Sequence, residues 1–209
     1  DEKKGKATGV RVIDSHTKEA TEYFAKIIFV NAAALNTNLI LLNSTSSRFP
    51  NGLGNDSGIL GKYVAFHNYR GTLSATMDGY LDSYYYGRRP CAVMMPNFRN
   101  VHKQETDFLR GYATGVSAFR SFTEQQDGVG AGLKANLCSD DLGPWNIKGG
   151  MMGETIPKES NHVSLNAVKK DDWGIPLLNI SVDYDDNDER LIKDFFEQTT
   201  EMFTRAGFT

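Results

Sequence analysis

Cysteine is nearly absent from this chain: Cys91 and Cys138 are the two in 209 residues. They are too few and too far apart for a zinc site or a disulfide framework, and read as a strand residue and a loop residue with free thiols. A basic surplus is missing too. The net charge of -3 argues against nucleic acid as a partner, since binding phosphates needs cations. No apolar stretch approaches the roughly 18–20 residues that cross a bilayer. No signal peptide is visible, which leaves periplasm and cytoplasm equally open. No metal motif or Ser/His/Asp arrangement stands at readable spacing; His102 and His162 are isolated, and His16 lies in a turn.

What remains is a globular composition, with 40% hydrophobic and 23% charged residues and 20 glycines spread among short segments. Residues 7–14 and 20–30 read as a hairpin around Ser15-His16-Thr17-Lys18. Its second half ends in Lys26-Ile27-Ile28-Phe29-Val30, an apolar run without alternation, which predicts a strand buried on both faces. Asn31-Ala32-Ala33-Ala34 is a corner without bulk or charge, and Asn36 or Thr37 is placed to cap the helix that Leu39-Ile40-Leu41-Leu42 continues. Such a corner lets a backbone approach a phosphate or a flat cofactor, although most of these turns are only tight packing. Asp56 or Ser57 is predicted to cap a second helix, with Ile59, Leu60, Tyr63, Val64 and His67 at helical spacing.

From Asn68 the texture changes to strands, predicted over 72–77, 90–96, 108–120, 146–153, 162–168 and 177–184. About six strands with hairpin-sized links favour a large, mostly antiparallel sheet, wet on one face and backed by helices on the other. The fold class is therefore α+β. Gly111 and Gly115 within one strand suggest a bulge or the close approach of something flat. The clearest helix is 185–205, where Leu191, Ile192, Phe195, Phe196, Met202 and Phe203 form one apolar stripe. Asp186 with Glu189 makes a capping-box-like start. The acidic run Asp183–Glu189 lacks the glycine and terminal carboxylate of a calcium loop, and the helix dipole is reason enough for it.

Several blocks carry a resemblance. The segment from Val30 to Ser44, and its continuation Pro50–His67, resembles the second signature segment of the glucose–methanol–choline flavoprotein oxidoreductases. Ala33 stands where that pattern has Gly, and Asn38 where it has Pro. Tyr86-Gly-Arg-Arg-Pro90, Pro96-Asn-Phe-Arg-Asn100, Glu154-Thr-Ile-Pro-Lys-Glu-Ser-Asn161 and Asp172-Trp-Gly-Ile-Pro176 are similar to the bacterial sugar-dehydrogenase branch. The resemblance implies that residues 1–67 end an FAD-binding domain and that 68–209 form a substrate-binding domain. It implies FAD contact by Ala32, Ala33, Ala34, Asn36 and Thr37, and hydride transfer to the flavin from a CH–OH group of a sugar, a sugar acid or another small alcohol. Electrons would leave to a protein acceptor or a quinone. Gly-x-Gly-x-x-Gly, which holds the ADP half of the cofactor, is missing, as is the family's catalytic His segment. The expectation is a chain that by itself neither turns over nor keeps FAD.

Two constellations remain for substrate. Tyr86, Arg88 and Arg89 combine stacking rings with guanidinium forks, as a sugar site does, or else form an exposed turn over a sheet edge. Glu154 lies on a strand that by resemblance borders the substrate cavity; it either accepts bonds from sugar hydroxyls or pairs with Arg110 or Arg120. The rival is a cofactor-free carbohydrate- or partner-binding module on the same sheet. The apolar run at Ile27–Val30 is what separates the two readings, because a free-standing sheet module has no use for an inner strand.

Overall fold

The computed structural model describes residues 1–82, 92–122, 129–137 and 142–209. Among them the chain is α+β, with helices and antiparallel sheets. It forms two compact units, one of residues 1–65 with 156–183 and the other of 66–155 with 184–209.

In the first unit, β1 (Gly9–Ile13) and β2 (Ala20–Phe24) form the expected hairpin. Asp14 holds its turn by accepting from the His16 and Thr17 amides, each at 2.8 Å. The apolar run that follows differs from expectation. Residues 26–30 form no strand, and Ile27 and Phe29 stand 71% and 81% exposed. A strand exists only where a neighbour accepts its hydrogen bonds, and no described segment pairs with this one. Helix α1 (Ala33–Asn43) has Ala32 at its N-cap, ahead of the expected caps Asn36 or Thr37, and has no fully buried residue.

The expected helix over 56–67 is not formed either. Gly58, Gly61 and Tyr63 all have positive φ, which interrupts a right-handed helix. Gly61 is needed there: a Cβ would sit 2.5 Å from the carbonyl oxygen of Val163, whose amide donates to Gly61 at 2.7 Å. Val163 belongs to β8 (His162–Lys170), which pairs with β9 (Pro176–Ser181) through the turn at Asp171–Gly174. These two strands were expected in the large sheet, but they form a separate ribbon.

The second unit holds that sheet. Strands β3 (His67–Asn68) and β4 (Thr72–Met77) pair end to end along β7 (Leu142–Glu154). Beyond β7 come β6 (Tyr112–Phe122) and β5 (Ala92–Met95), all antiparallel. Alternation then assigns the faces. Tyr112, Ile147 and Met151 point to one side and are buried. Helix α3 (Asp186–Arg205) covers that side with Leu191, Phe195 and Phe203. Phe108, Tyr112, Met151, Leu191 and Phe195 are one cluster, with the Tyr112 and Phe195 rings edge-to-face at 5.8 Å. Burying such side chains contributes about 1.5–3 kcal/mol each, which fixes helix to sheet. The cap of α3 is one residue earlier than expected: Asp185 accepts from the Asp188 amide and Asp188 returns the bond. A short helix, α2 (Ala131–Leu137), lies between β6 and β7 in the chain.

Candidate functional site

The other side of this sheet carries no helix among the described residues. Lys148, Ser74 and Thr72 are exposed there, and Gly150 and Gly115 are half-buried. Backbone register places Thr72, Gly150, Gly115 and Met94 in one row across four strands. A Cβ added at Gly150 meets nothing within 4 Å, and one at Gly115 meets only the end of Met94 at 3.8 Å. The centre of this face is therefore a patch of bare backbone. Ser74, Lys148 and Ser117 form the adjacent row on one side, and Met152 with Ala113 the row on the other. A flat or ring-shaped ligand fits such a floor, with hydroxyls and an ammonium at its rim.

Glu154 lies at the end of β7 on this same face, opposite His67 in the β3–β7 register. The hydroxyl of Tyr69 is 3.2 Å from His67 Nδ1, with the rings 5.3 Å apart. Of the alternatives open for Glu154, the structure shows Arg110 as its neighbour: Nε stands 3.6 Å from the carboxylate, too far for a hydrogen bond. Arg110 has a φ of 67°, in the left-handed region. Its own carbonyl accepts from Asn100 at 2.8 Å, and that of Gly111 accepts from the Glu154 amide at 3.1 Å. His67 thus begins a strand rather than ending a helix, and meets Glu154 through pairing of segments far apart in sequence.

Tyr86, Arg88 and Arg89 lie outside the described residues, as do Cys91 and Cys138. Arg120 donates to the Gly143 carbonyl at 2.8 Å. In the first unit, the corner at Ala32–Ala34 leads directly into α1, with Asn36 and Thr37 inside the helix rather than capping it. No side chain caps α1 and its first turn has no acidic residue, so its first amides are open to an acceptor. Ala33 has a φ of 56°, a conformation natural to glycine and costing an L-residue about 1–2 kcal/mol. The backbone here has the shape that a glycine would take.

A cavity of about 350 Å³ beside α3 is lined by charged groups including Arg99, Asp107, Arg190 and Asp194. Its arginines are engaged: Arg99 with Asp194 at 2.8 Å, and Arg190 with the Asp107 carbonyl at 2.9 Å. Among the described residues, no group of three or more His, Cys, Asp or Glu side chains is placed to hold a metal ion, and no helix is long and apolar enough to cross a membrane.

No family model matches the chain. It is similar to a curated enzyme, the 2-methyl-1,2-propanediol dehydrogenase of Mycolicibacterium austroafricanum, with 30% identity over 196 residues. That alignment takes in 89% of this chain and 34% of the enzyme, so the chain spans about a third of its relative's length. The similarity runs through both compact units, and relates the chain to part of a dehydrogenase.

Proposed function

We propose that this chain is the substrate-binding portion, with an adjoining piece of the cofactor-binding portion, of an FAD-dependent dehydrogenase of the glucose–methanol–choline type. The similarity to a diol dehydrogenase along nearly the whole chain is the observation that carries this reading. The reaction is oxidation of a CH–OH group in a polyhydroxylated substrate, a sugar, a sugar acid or a small diol, with electrons passed on to a protein acceptor or a quinone. FAD would supply the hydride acceptor. The residues that fit it are Ala32–Ala34, whose side-chain-poor corner opens onto free helix amides, with Asn36 and Thr37 in the first turn. Substrate would lie on the open face of the sheet, over Gly115 and Gly150 and within reach of Glu154. Tyr86, Arg88 and Arg89 complete the substrate contacts in this reading. A general base takes the hydroxyl proton in this reading, and the chain by itself is proposed neither to turn over nor to retain FAD.

A cofactor-free carbohydrate-binding module is the second reading, and one observation favours it: the apolar run at Ile27–Val30 is not an inner strand. Its exposed Ile27 and Phe29 point the other way, since a free-standing module gains nothing from presenting them to water. Purification of the longer protein that carries this chain separates the two. The enzyme reading expects a flavin absorbance that bleaches anaerobically on adding 2-methyl-1,2-propanediol or glucose. A colourless protein that binds sugar saturably overturns it in favour of the module.

A further inference from the structure

The geometry points to His67 and Glu154 as a paired grip for two neighbouring hydroxyls of a ligand. Residues that are direct partners in an antiparallel ladder project to the same face, with Cβ atoms about 4.5–5.5 Å apart. That spacing suits the two oxygens of a vicinal diol better than a lone hydroxyl.

The chemistry of the two groups is complementary. The Tyr69 hydroxyl stands 3.2 Å from His67 Nδ1 and engages that ring nitrogen, which leaves Nε2 as the one without a partner among the described residues. Nε2 is thus open to a hydrogen bond with one ligand oxygen. Glu154 makes no side-chain hydrogen bond among the described residues, and its carboxylate accepts from the second hydroxyl. Arg110 stands 3.6 Å away, beyond hydrogen-bond reach, and leaves the carboxylate oxygens unoccupied. A diol donates and accepts at both oxygens, so it satisfies both residues at once. A ligand carboxylate would meet Glu154 as a like charge, and a monohydric alcohol would leave one partner empty. The β3–β7 register, rather than the ligand, sets the backbones of His67 and Glu154 opposite one another.

This deepens the proposed function by naming what the open face recognises, and it rests on that reading only for a role in turnover. Binding is a property of the chain itself. Neighbouring hydroxyls occur in small diols and on sugar rings, so the probes are 1,2-propanediol and methyl α-D-glucopyranoside, with 1-propanol as the control. The ring Cε1–H resonance of His67 is followed by NMR in the 209-residue chain, with His16, His102 and His162 as internal references. At least one diol probe is expected to move the His67 signal saturably; the one that does identifies the source. 1-Propanol leaves it in place, and Glu154→Gln raises the apparent Kd about tenfold, the equivalent of one lost good hydrogen bond. Glu159→Gln, an exposed carboxylate elsewhere, changes nothing. The assignment fails if neither diol moves the signal, if 1-propanol moves it equally, or if Glu154→Gln titrates like the unsubstituted chain. None of these outcomes depends on flavin, so failure here leaves the dehydrogenase reading to its own test.

Discussion

The phenol of Tyr112 donates to the carboxylate of Asp194 at 2.7 Å, and this bond joins the centre of the sheet to its covering helix. Arg99 donates to the same carboxylate through Nε at 2.9 Å and Nη2 at 2.8 Å, so two side chains of the sheet region converge on one residue of the helix. All three are largely shielded from water, which makes the arrangement sensitive to the loss of any member.

Asp194→Ala is expected to destabilise the sheet–helix unit by about 2–3 kcal/mol, because it strands a buried phenol and leaves a shielded guanidinium without its partner. Urea unfolding followed by tyrosine fluorescence measures this. A change within the scatter of ordinary surface substitutions, about 0.5 kcal/mol, would show that the cluster is dispensable.

Alkaline pH should act through Tyr112. Burial first, and then its bond to the Asp194 carboxylate, raise its pKa, so the folded state keeps a proton that the unfolded chain releases near pH 10. Stability present below that pH is therefore lost as pH rises further. Tyr112→Phe should flatten this decline above about pH 10, read as the slope of unfolding free energy against pH. An unchanged slope would place the alkaline sensitivity elsewhere.

Ala33→Gly should stabilise the first unit. Relief of a left-handed alanine gains about 1–2 kcal/mol, and the greater freedom of glycine in the unfolded chain returns about 0.5–1 kcal/mol. The net gain of about 0.5–1 kcal/mol is measurable by urea denaturation, and a loss would show that the alanine methyl makes a contact worth more than the strain.

Gly71, just ahead of β4, and Gly150 in β7 should respond differently to alanine. At Gly71 a Cβ would lie 2.6 Å from the Phe195 ring and 3.0 Å from the Met151 Cβ, so Gly71→Ala should cost about 1–3 kcal/mol. Gly150→Ala meets open space and should leave stability unchanged within about 0.5 kcal/mol. Under the proposed function, the same Gly150→Ala change should raise KM for the substrate. Equal thermal shifts for the two variants would contradict the assignment of faces.

The sequence made α3 legible because a strong apolar stripe and an acidic cap coincide there. The cap itself was legible only to within one residue, since Asp185 and Asp186 offer the same chemistry. Strands β4 to β7 were legible as alternating or glycine-marked segments. Lys26–Val30 misled because an apolar run reports a wish for burial, whereas a strand also needs a hydrogen-bonding neighbour. The run over 56–67 had helical spacing, but Gly58, Gly61 and Tyr63 take left-handed conformations that spacing does not register. Glu154 was named through the family resemblance, with Arg110 already among its possible partners. Gly111 and Gly115 signalled a close approach, while the same signal at Gly149-Gly150 was missed. The meeting of His67 with Glu154 was hidden because His67 was read as the end of a helix, and register between distant strands is not written locally.

The order of synthesis gives α3 a further consequence. Leu191 and Phe195 close a cluster whose other members, Phe108, Tyr112 and Met151, leave the ribosome earlier. Until that helix emerges, the nascent sheet presents an uncovered greasy surface, and its long-range pairings have nothing to hold them against loop-closure entropy. Nascent chains halted before Leu191 should accordingly be captured by chaperones, and released once Phe203 is clear of the exit tunnel.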